Sequence, residues 1–466
     1  MDPSGTSEVE DVRDAAQDAQ DAHAEKAVQF DLFGMPVARE SAPSTDDASG
    51  KPRAGTPTSA DAASADVVAP VAERRRRSRT GTETLGTLWQ EEEAPLPQAT
   101  IDALSTSDQT APLPADSPRK RRTRDIAAVP PSPDILALAA ALPAQVHLGT
   151  STWSFPGWSG IVYGDDYSKT KLSRDGLNAY GAHPLLKTVS IDRSFYQALT
   201  VTDYLRYAQQ VPEHFRFIVK APMTITDATV RTERGEPTAL NPCFLNAQMA
   251  IDEFVTPCLE GLGAKAGALV FQLSPLPDQM LAQPAAFIER LGAFLTSLPR
   301  PPDGTCYAIE IRDGSLLTPR FIRTLKLAGV RYCVGIHARM PDPLRQAAAL
   351  ALLDGEPAGP LIVRWSLHGG FRYEQAKAKY EPFNQLVDPD PGTRAALAEV
   401  AARYALAGQP VVIAINNKAE GSAPLSCVEL ARAIIEAYAR QAHEHEHDHA
   451  DVDAPAPRPE DPLSPP

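Results

Sequence analysis

Cysteine is scarce in this sequence, with five residues among 466. They are an odd number, they are widely spread, and no two of them form a Cys-x-x-Cys pair. Neither a disulfide framework nor a structural zinc site is therefore indicated. A reducing cytoplasm is the expected compartment, because disulfides are rare there.

Long apolar runs are also missing. The mean hydropathy is -0.25, and no stretch approaches the roughly 20 apolar residues that cross a bilayer. The first residues, Met1-Asp2-Pro3, have neither the basic nor the apolar region of a secretory signal. The sequence predicts a protein without a membrane segment.

Several familiar site motifs are absent. No Gly-x-Gly-x-x-Gly follows a predicted strand, and the chain has neither a phosphate-binding P-loop motif nor a Gly-x-Ser-x-Gly nucleophile elbow. The sequence therefore names no cofactor. No metal site is predicted either, because His337 and His368 lack a convergent third ligand.

Charge is unevenly distributed along the chain, whose formal net charge is -14. Residues 1–130 carry 23 acidic against 15 basic residues, and residues 441–466 carry 7 against 1. Residues 131–440 are balanced, with 29 of each sign. Both ends are rich in proline and poor in aromatic residues, and we predict that they are disordered tails.

The first tail contains one apolar island, Gln29-Phe30-Asp31-Leu32-Phe33-Gly34. It resembles the short motif by which bacterial proteins bind the replication sliding clamp, in which Gln29 would meet the pocket rim while Leu32 and Phe33 fill an apolar pocket. A five-residue pattern also arises by chance, so a solvated patch, or a strand-like stretch packed on the barrel, is the alternative.

Three further runs are charged. Residues 74–79 and 119–124 each hold five cations in six positions, which is typical of weak, sequence-blind contact with nucleic acid. Charged linkers are the alternative for both. Residues 443–449 alternate histidine with carboxylates, and we interpret them as a solvated tail with weak metal affinity.

Between about residues 145 and 440, eight short apolar runs alternate with helix-like segments. Such nearly continuous apolar runs are typical of strands buried on both faces of a parallel sheet. The runs are Val146–Gly149, Thr188–Ile191, Phe215–Lys220, Ala268–Leu273, Cys306–Ile311, Tyr332–Gly335, Leu361–Trp365 and Val411–Ile415. Eight such units predict an α/β fold, a (β/α)8 TIM-like barrel over 145–440, with a doubly wound sheet as the alternative.

In such a barrel the strands' carboxyl ends and the loops after them form the functional face. Polar residues finish the apolar runs here, and each would be costly to bury without a partner. We predict Glu310 as the acid/base, with Lys220 and Arg312 stabilising negative charge. The predicted ligand-binding residues are Asp192, Tyr196, Gln272, Arg364, His368, Asn416, Asn417 and Trp153.

Several of these assignments have structural alternatives: Lys220 could be a strand-end lysine that reaches solvent, and His368 could be a capping or surface residue. Glu310 and Arg312 share strand parity and could simply pair inside the barrel. Trp153 could plug the barrel mouth instead of stacking on a ligand. The two glycine-containing loops after the last two strands favour a phosphate-bearing or otherwise anionic ligand, because phosphate sites in these barrels often use those loops.

Nine short motifs in order resemble the YecE-like family, also called domain of unknown function 72, over about 145–440. They are Gly149-Thr150-Ser151-Thr152-Trp153, Ser194-Phe195-Tyr196, Phe215-Arg216-Phe217, Lys220-Ala221-Pro222, Phe271-Gln272-Leu273, Glu310-x-Arg312, Leu367-His368-Gly369, Asn416-Asn417 and Gly421-x-Ala423-Pro424. The resemblance implies a TIM-like barrel and supplies no activity. Ser190 stands where the family usually has a glutamate, residues 313–316 replace its His-Pro-Ser-Trp, and Lys418 replaces an acidic or polar residue. The rim is therefore more basic here.

Two functions remain open at this point. One is an enzyme, a hydrolase or isomerase, that acts on an anionic or phosphorylated small molecule or a nucleic-acid end. The other is a non-catalytic accessory protein of nucleic acid, recruited to the sliding clamp by the N-terminal tail. The sequence does not determine the oligomeric state.

Overall fold

Eight parallel strands close into a barrel in the computed structural model, which describes residues 125–232, 237–355, 357–369 and 373–452. The barrel strands are β1 (Val146–Thr150), β2 (Leu186–Ile191), β3 (Arg216–Lys220), β6 (Ala266–Gln272), β7 (Cys306–Glu310), β8 (Arg331–Ile336), β9 (Leu361–Trp365) and β10 (Val411–Ile415). They neighbour one another in sequence order, and β10 closes the ring against β1. The predicted (β/α)8 barrel is confirmed.

One helix precedes the first strand, and the others lie in the segments that follow the strands. Those from the first half are α1 (Pro133–Ala141), α2 (Lys169–Asp175), α3 (Leu177–Gly181), α4 (Arg193–Tyr196), α5 (Val201–Ala208), α6 (Met223–Thr226), α7 (Ala247–Ala250), α8 (Thr256–Leu262), α9 (Asp278–Leu281) and α10 (Pro284–Thr296). Those from the second half are α11 (Pro319–Ala328), α12 (Pro343–Asp354), α13 (Tyr373–Tyr380), α14 (Pro391–Leu406) and α15 (Ala423–Val452). One π-helical turn, Ile251–Val255, joins α7 to α8.

Three features of the chain's path were not predicted. A two-stranded antiparallel hairpin, β4 (Thr229–Arg231) with β5 (Pro237–Leu240), is inserted after β3. Helix α1 precedes the barrel and packs against α15. Helix α15 continues to Val452, beyond residue 440 where the sequence pattern ended it.

Local sequence signals set where several helices begin and end. Thr200 caps α5, and it exchanges hydrogen bonds with Asp203 in a capping box. Thr318 caps the start of α11. Gly329 ends that helix with a φ of 66°, a left-handed conformation that glycine adopts without a side-chain clash.

The inside of the barrel is apolar through its middle. One buried cluster fills it and consists of Ile218, Ala268, Val270, Cys306, Ala308, Cys333, Ile362, Val412 and Ala414. Cys306 and Cys333 belong to this core, and all five cysteines carry free thiols. Of the helices in the described part of the chain, none is long and apolar enough to span a bilayer.

Gly149 lets β1 and β2 approach closely. The pairing register of these strands shifts between Leu148 and Gly149. A Cβ atom at residue 149 would lie 1.7 Å from the carbonyl oxygen of Thr188, and no rearrangement of a side chain relieves a clash with backbone. Residue 149, next to the carboxyl end of β1, must therefore be a glycine for the two strands to pair this closely.

We expect Gly149→Ala to lower the free energy of unfolding by about 3 kcal/mol or more, since overpacking against backbone forces the strands apart. Urea denaturation of the purified protein measures this. Gly392→Ala is the matched control, because its nearest neighbour would be an Asp390 carboxylate oxygen at 3.7 Å. Equal stability of the two variants would contradict the close-approach argument.

Candidate functional site

A layer of polar side chains lies directly above the apolar cluster, at the carboxyl ends of the strands. Successive inward positions on a strand are two residues apart. Lys220 follows Ile218, Gln272 follows Val270, and Arg364 follows Ile362, so each points into the barrel. The register places Gln272 beside Glu310.

Arg364 is at the centre of this layer and is 3% exposed. Its Nη1 donates to Glu310 Oε2 at 2.6 Å and to Gln272 Oε1 at 2.9 Å. Its Nη2 donates to both carboxylate oxygens of Asp192, at 2.9 and 3.1 Å. One guanidinium therefore ties together strands β6, β7 and β9 and the residue that follows β2.

Arg312, at the rim of the barrel, contacts two of the partners of Arg364, namely Glu310 and Gln272. Its Nη2 lies 2.8 Å from Glu310 Oε1 and donates to Gln272 Oε1 at 2.9 Å. Ser366 Oγ lies 3.5 Å away. We refer to Asp192, Gln272, Glu310, Arg312 and Arg364 as the Arg364 cluster.

Glu310 is fully buried between the two arginines. Burial alone would raise the pKa of its carboxyl. The positive charges of Arg312 and Arg364, and then that of Lys220, outweigh burial and hold the pKa below its ordinary value. Glu310 is therefore ionised at neutral pH and can accept a proton but has none to donate.

Lys220 lies in the same layer and is 3% exposed. Its Nζ stands 3.7 Å from the centroid of the Phe195 ring, a cation–π contact. The carbonyl of Lys220 accepts a hydrogen bond from Ser194 Oγ at 2.6 Å. The Ser194-Phe195 pair after β2 thus fixes both the backbone and the amine of Lys220.

The paired asparagines after β10 have mainly architectural contacts. Asn416 Oδ1 accepts a hydrogen bond from the Lys418 amide at 2.9 Å. Asn417 Oδ1 accepts from Trp158 Nε1 at 3.2 Å and from the Ala423 amide at 2.8 Å. Asn417 therefore ties the loop after β1 to the start of α15.

Trp153 is buried and packs into the protein. Its indole donates to the Ser173 carbonyl at 3.3 Å, and its ring meets Tyr207 edge-on at 5.2 Å. Tyr163 also donates to the Trp153 carbonyl. This environment favours the plug over the ligand-stacking interpretation of Trp153.

The rings of Tyr196, His337 and His368 are half-buried and lie at the rim of the barrel. Tyr196 contacts Phe195 edge-on at 5.2 Å. The backbone amide of His368 donates to the Lys418 carbonyl at 3.0 Å. Burial and the nearby charge of Arg312 lower the pKa of His337 to about 3, so His337 is neutral and adds no charge to the site.

Two serines take part in the layer although neither was predicted as a site residue. Ser190 Oγ donates to Asp192 Oδ1 at 2.6 Å, and Ser366 approaches Arg312. The available signal was parity, since each is two residues from a predicted site residue at the same strand end. The prediction selected charged, amide and aromatic side chains at the strand ends and passed over these two hydroxyls.

The layer carries a formal positive charge. Arg364, Arg312 and Lys220 contribute three cations, against the carboxylates of Asp192 and Glu310. In addition, Arg312 Nη1 is buried and makes no hydrogen bond to the described residues, and the same holds for Asn417 Nδ2. Buried polar atoms usually have partners, and the Glu310 Oε1 acceptor in the same layer also makes no hydrogen bond to the described residues.

Some predictions fall outside the described residues. These are the clamp-like motif at Gln29, Leu32 and Phe33, both basic runs, and Gly370 after β9. Among the residues that the structure describes, no three histidine, cysteine or acidic side chains are grouped to hold a metal ion.

We expect Glu310→Gln to unfold with about 3–5 kcal/mol less free energy at pH 7, because it leaves two buried arginines without their shared carboxylate. The Glu310 pKa is lower in the folded than in the unfolded protein, so its contribution is full above the ordinary value of 4.5 and is lost as the pH falls through the folded value. The difference between variant and wild type should therefore shrink in acid. Urea denaturation at several pH values tests this, with the exposed Glu289→Gln as control. A pH-independent difference would contradict it.

Comparison with known proteins identifies the family of this chain. The family model described as "Protein of unknown function DUF72" matches residues 147–450. No curated protein matches the chain. A solved DUF72 family protein from Enterococcus faecalis V583 is 16% identical, with 62% of this chain and 97% of that chain covered and a TM-score of 0.38. Another, from Thermotoga maritima MSB8, is 16% identical, with 62% and 98% covered and a TM-score of 0.41. The family model spans most of the chain, and the protein belongs to the DUF72 family.

Proposed function

We propose that the protein binds a small anionic ligand at the carboxyl end of its barrel. The observation that carries the proposal is Arg312 Nη1, a buried guanidinium donor without a hydrogen-bond acceptor among the described residues. It lies in a layer where three cations face two carboxylates. An incoming anion would satisfy the donor and neutralise the excess charge together.

Arg364 and Arg312 have different roles in the proposed site. Arg364 is committed to Glu310, Asp192 and Gln272 through both terminal nitrogens, so its role is to position the cluster. Arg312 uses one terminal nitrogen for the cluster and is more exposed, at 8% against 3%. Arg312 is thus the side chain that meets the ligand.

A phosphate or phosphate ester suits this site best. Guanidinium groups match phosphate oxygens in charge and geometry, and Lys220 supplies a second cation in the same layer. The guanidinium groups are already hydrogen-bonded to Gln272 and paired with the two carboxylates. These contacts keep the guanidinium donors oriented before a ligand binds. Pre-oriented donors lose little entropy on binding.

The same arrangement supports hydrolysis or isomerisation of the bound molecule. Ionised Glu310 would accept a proton, while Lys220 and Arg312 stabilise the negative charge that develops. Glu310 has no proton-donor role in this scheme, because its pKa lies below the ordinary value.

The cytoplasm remains the proposed compartment, in keeping with five free thiols.

We expect Arg312→Gln to weaken binding of inorganic phosphate and of glycerol phosphate about 10- to 100-fold, the usual worth of a hydrogen bond to a charged group. Isothermal titration calorimetry measures the affinity directly. Arg323→Gln removes an exposed arginine from α11 and serves as the control, with unchanged affinity. Equal affinity in Arg312→Gln and wild type, or no heat from either anion, would overturn the proposal.

A second candidate function concerns the N-terminal tail. The motif at Gln29, Leu32 and Phe33 matches the pattern of sliding-clamp ligands, with an amide followed by an apolar pair. An accessory protein recruited in this way would not require turnover in the barrel. The two candidates are compatible but predict different partners.

Leu32→Ala combined with Phe33→Ala should abolish binding of the full-length protein to a purified bacterial sliding clamp, measured by surface plasmon resonance. An aromatic anchor of this kind is worth about 2 kcal/mol or more. Leu85→Ala combined with Leu88→Ala removes two apolar residues from the same tail and should leave binding intact. No binding by the wild type would remove this candidate.

A further inference from the structure

The loop after β8 begins with His337, close to the buried Glu310. On β8, Cys333 belongs to the apolar cluster inside the barrel. Gly335 is the next inward position, and a Cβ atom there would lie 3.3 Å from Glu310 Oε1. His337 follows two residues later, so it takes the inward position nearer the barrel mouth. Its ring is half-buried and lies within electrostatic reach of both Arg312 and Glu310.

Hydrogen bonds within this loop and to the neighbouring loop fix the position of His337. The Met340 amide donates to the His337 carbonyl at 2.9 Å, which closes a turn. Arg339, inside that turn, donates through Nη2 to Asp313 Oδ1 at 3.0 Å. Asp313 is 5% exposed and directly follows Arg312. The turn that carries His337 is therefore tied to the segment that carries Arg312.

The imidazole of His337 has one occupied nitrogen and one available nitrogen. Its Nδ1 accepts a hydrogen bond from the Arg339 amide at 3.3 Å. An accepting ring nitrogen carries no proton, so the proton of the neutral ring is on Nε2. Among the residues that the structure describes, none accepts a hydrogen bond from Nε2, and this nitrogen is not one of the buried unpartnered atoms. A donor is thus accessible beside Arg312.

The surroundings of His337 keep this ring uncharged. Burial, and after it the positive charge of Arg312, lower the pKa of His337 to about 3. Arg339 acts in the same direction, although it is paired with Asp313, and Glu310 acts in the opposite direction. The imidazole therefore stays neutral at neutral pH, and its Nε2–H is a donor without a charge.

We infer that His337 is a ligand-binding residue, which donates its uncharged Nε2–H to an oxygen of the phosphate that Arg312 binds. This inference rests on the proposed anion site and adds a neutral donor to it. A tetrahedral phosphate presents several oxygens, so it can accept from Arg312 Nη1 and His337 Nε2 together. The second donor adds recognition without adding to the positive charge of the layer.

His337→Leu should weaken binding of glycerol phosphate about tenfold or more, the usual worth of a hydrogen bond to a charged group. Isothermal titration calorimetry at about pH 8 measures this. His337→Gln should retain most of the affinity, because its side-chain amide also carries an N–H donor. Equal affinity of His337→Leu and the wild type would overturn the inference.

His183→Leu is the matched control. His183 is also half-buried, and its Nδ1 accepts from the amide two residues further on, that of Leu185, at 3.3 Å. Its position before β2 puts it at the opposite end of the barrel. We expect this variant to bind glycerol phosphate as the wild type does. A decrease equal to that of His337→Leu would overturn the inference, because losing either histidine would then act through the fold.

Two measurements test the charge and the tautomer of the ring. Nitrogen-15 NMR of histidine-labelled wild type should show His337 neutral, with its proton on Nε2, and glycerol phosphate should shift the Nε2 resonance. The ratio of wild-type to His337→Gln affinity should be the same at about pH 6 and about pH 8, because a neutral donor does not titrate in this window. The protonation of the ligand itself cancels in the ratio. A ratio that rises several-fold at the lower pH, or a proton on Nδ1, would overturn the inference.

Failure of the inference and failure of the anion site give different results. Weaker binding by Arg312→Gln, together with wild-type affinity of His337→Leu, would overturn the role of His337 and leave the anion site standing. Absence of glycerol phosphate binding by the wild type would remove the anion site, and the inference with it. The NMR measurement uses the wild-type protein, so it does not depend on whether His337→Leu folds.

Discussion

The buried Glu310 carboxylate is the group on which the polar layer depends. It lies at the bottom of a charged layer, directly above an apolar core, where an unpaired charge would cost several kcal/mol. Two arginines share it, at 2.6 and 2.8 Å: Arg364 on β9 and Arg312 just after β7. Its charge therefore fixes both guanidinium groups, and those groups in turn fix Gln272 and Asp192.

Space for this pairing is built into the backbone. Gly335 lies opposite Arg364 in the register of β8 with β9. A Cβ atom there would lie 3.3 Å from the Glu310 side chain. A larger residue at this strand end would press on the carboxylate that both arginines share.

Most polar groups of the layer are hydrogen-bonded to one another, but their formal charges do not sum to zero. Most of its donors have acceptors from the chain, which gives rigidity, while one donor of Arg312 and one formal positive charge remain over among the described residues. Under the proposed function, a rigid site with a small excess of positive charge would bind an anion without rearranging. The loop after β1 is held beside this layer by backbone hydrogen bonds with Ala127 and Val129 and by the buried Trp153 and Trp158.

Periodicity was enough to predict the barrel, because eight apolar runs separated by helix-like segments have few ways to bury both faces of a parallel sheet. Position at the strand ends was enough to predict that Lys220, Glu310 and Arg364 lie at the same rim of the barrel. The sequence could not show that Arg364 would contact Asp192, because a residue after β2 and one on β9 meet only when the barrel closes. It also could not separate Asn417, whose Oδ1 ties a loop to a helix, from Arg312, whose Nη2 contacts the buried Glu310 and Gln272. That distinction depends on which partners fill each side chain's hydrogen bonds, and only the packed tertiary structure decides it.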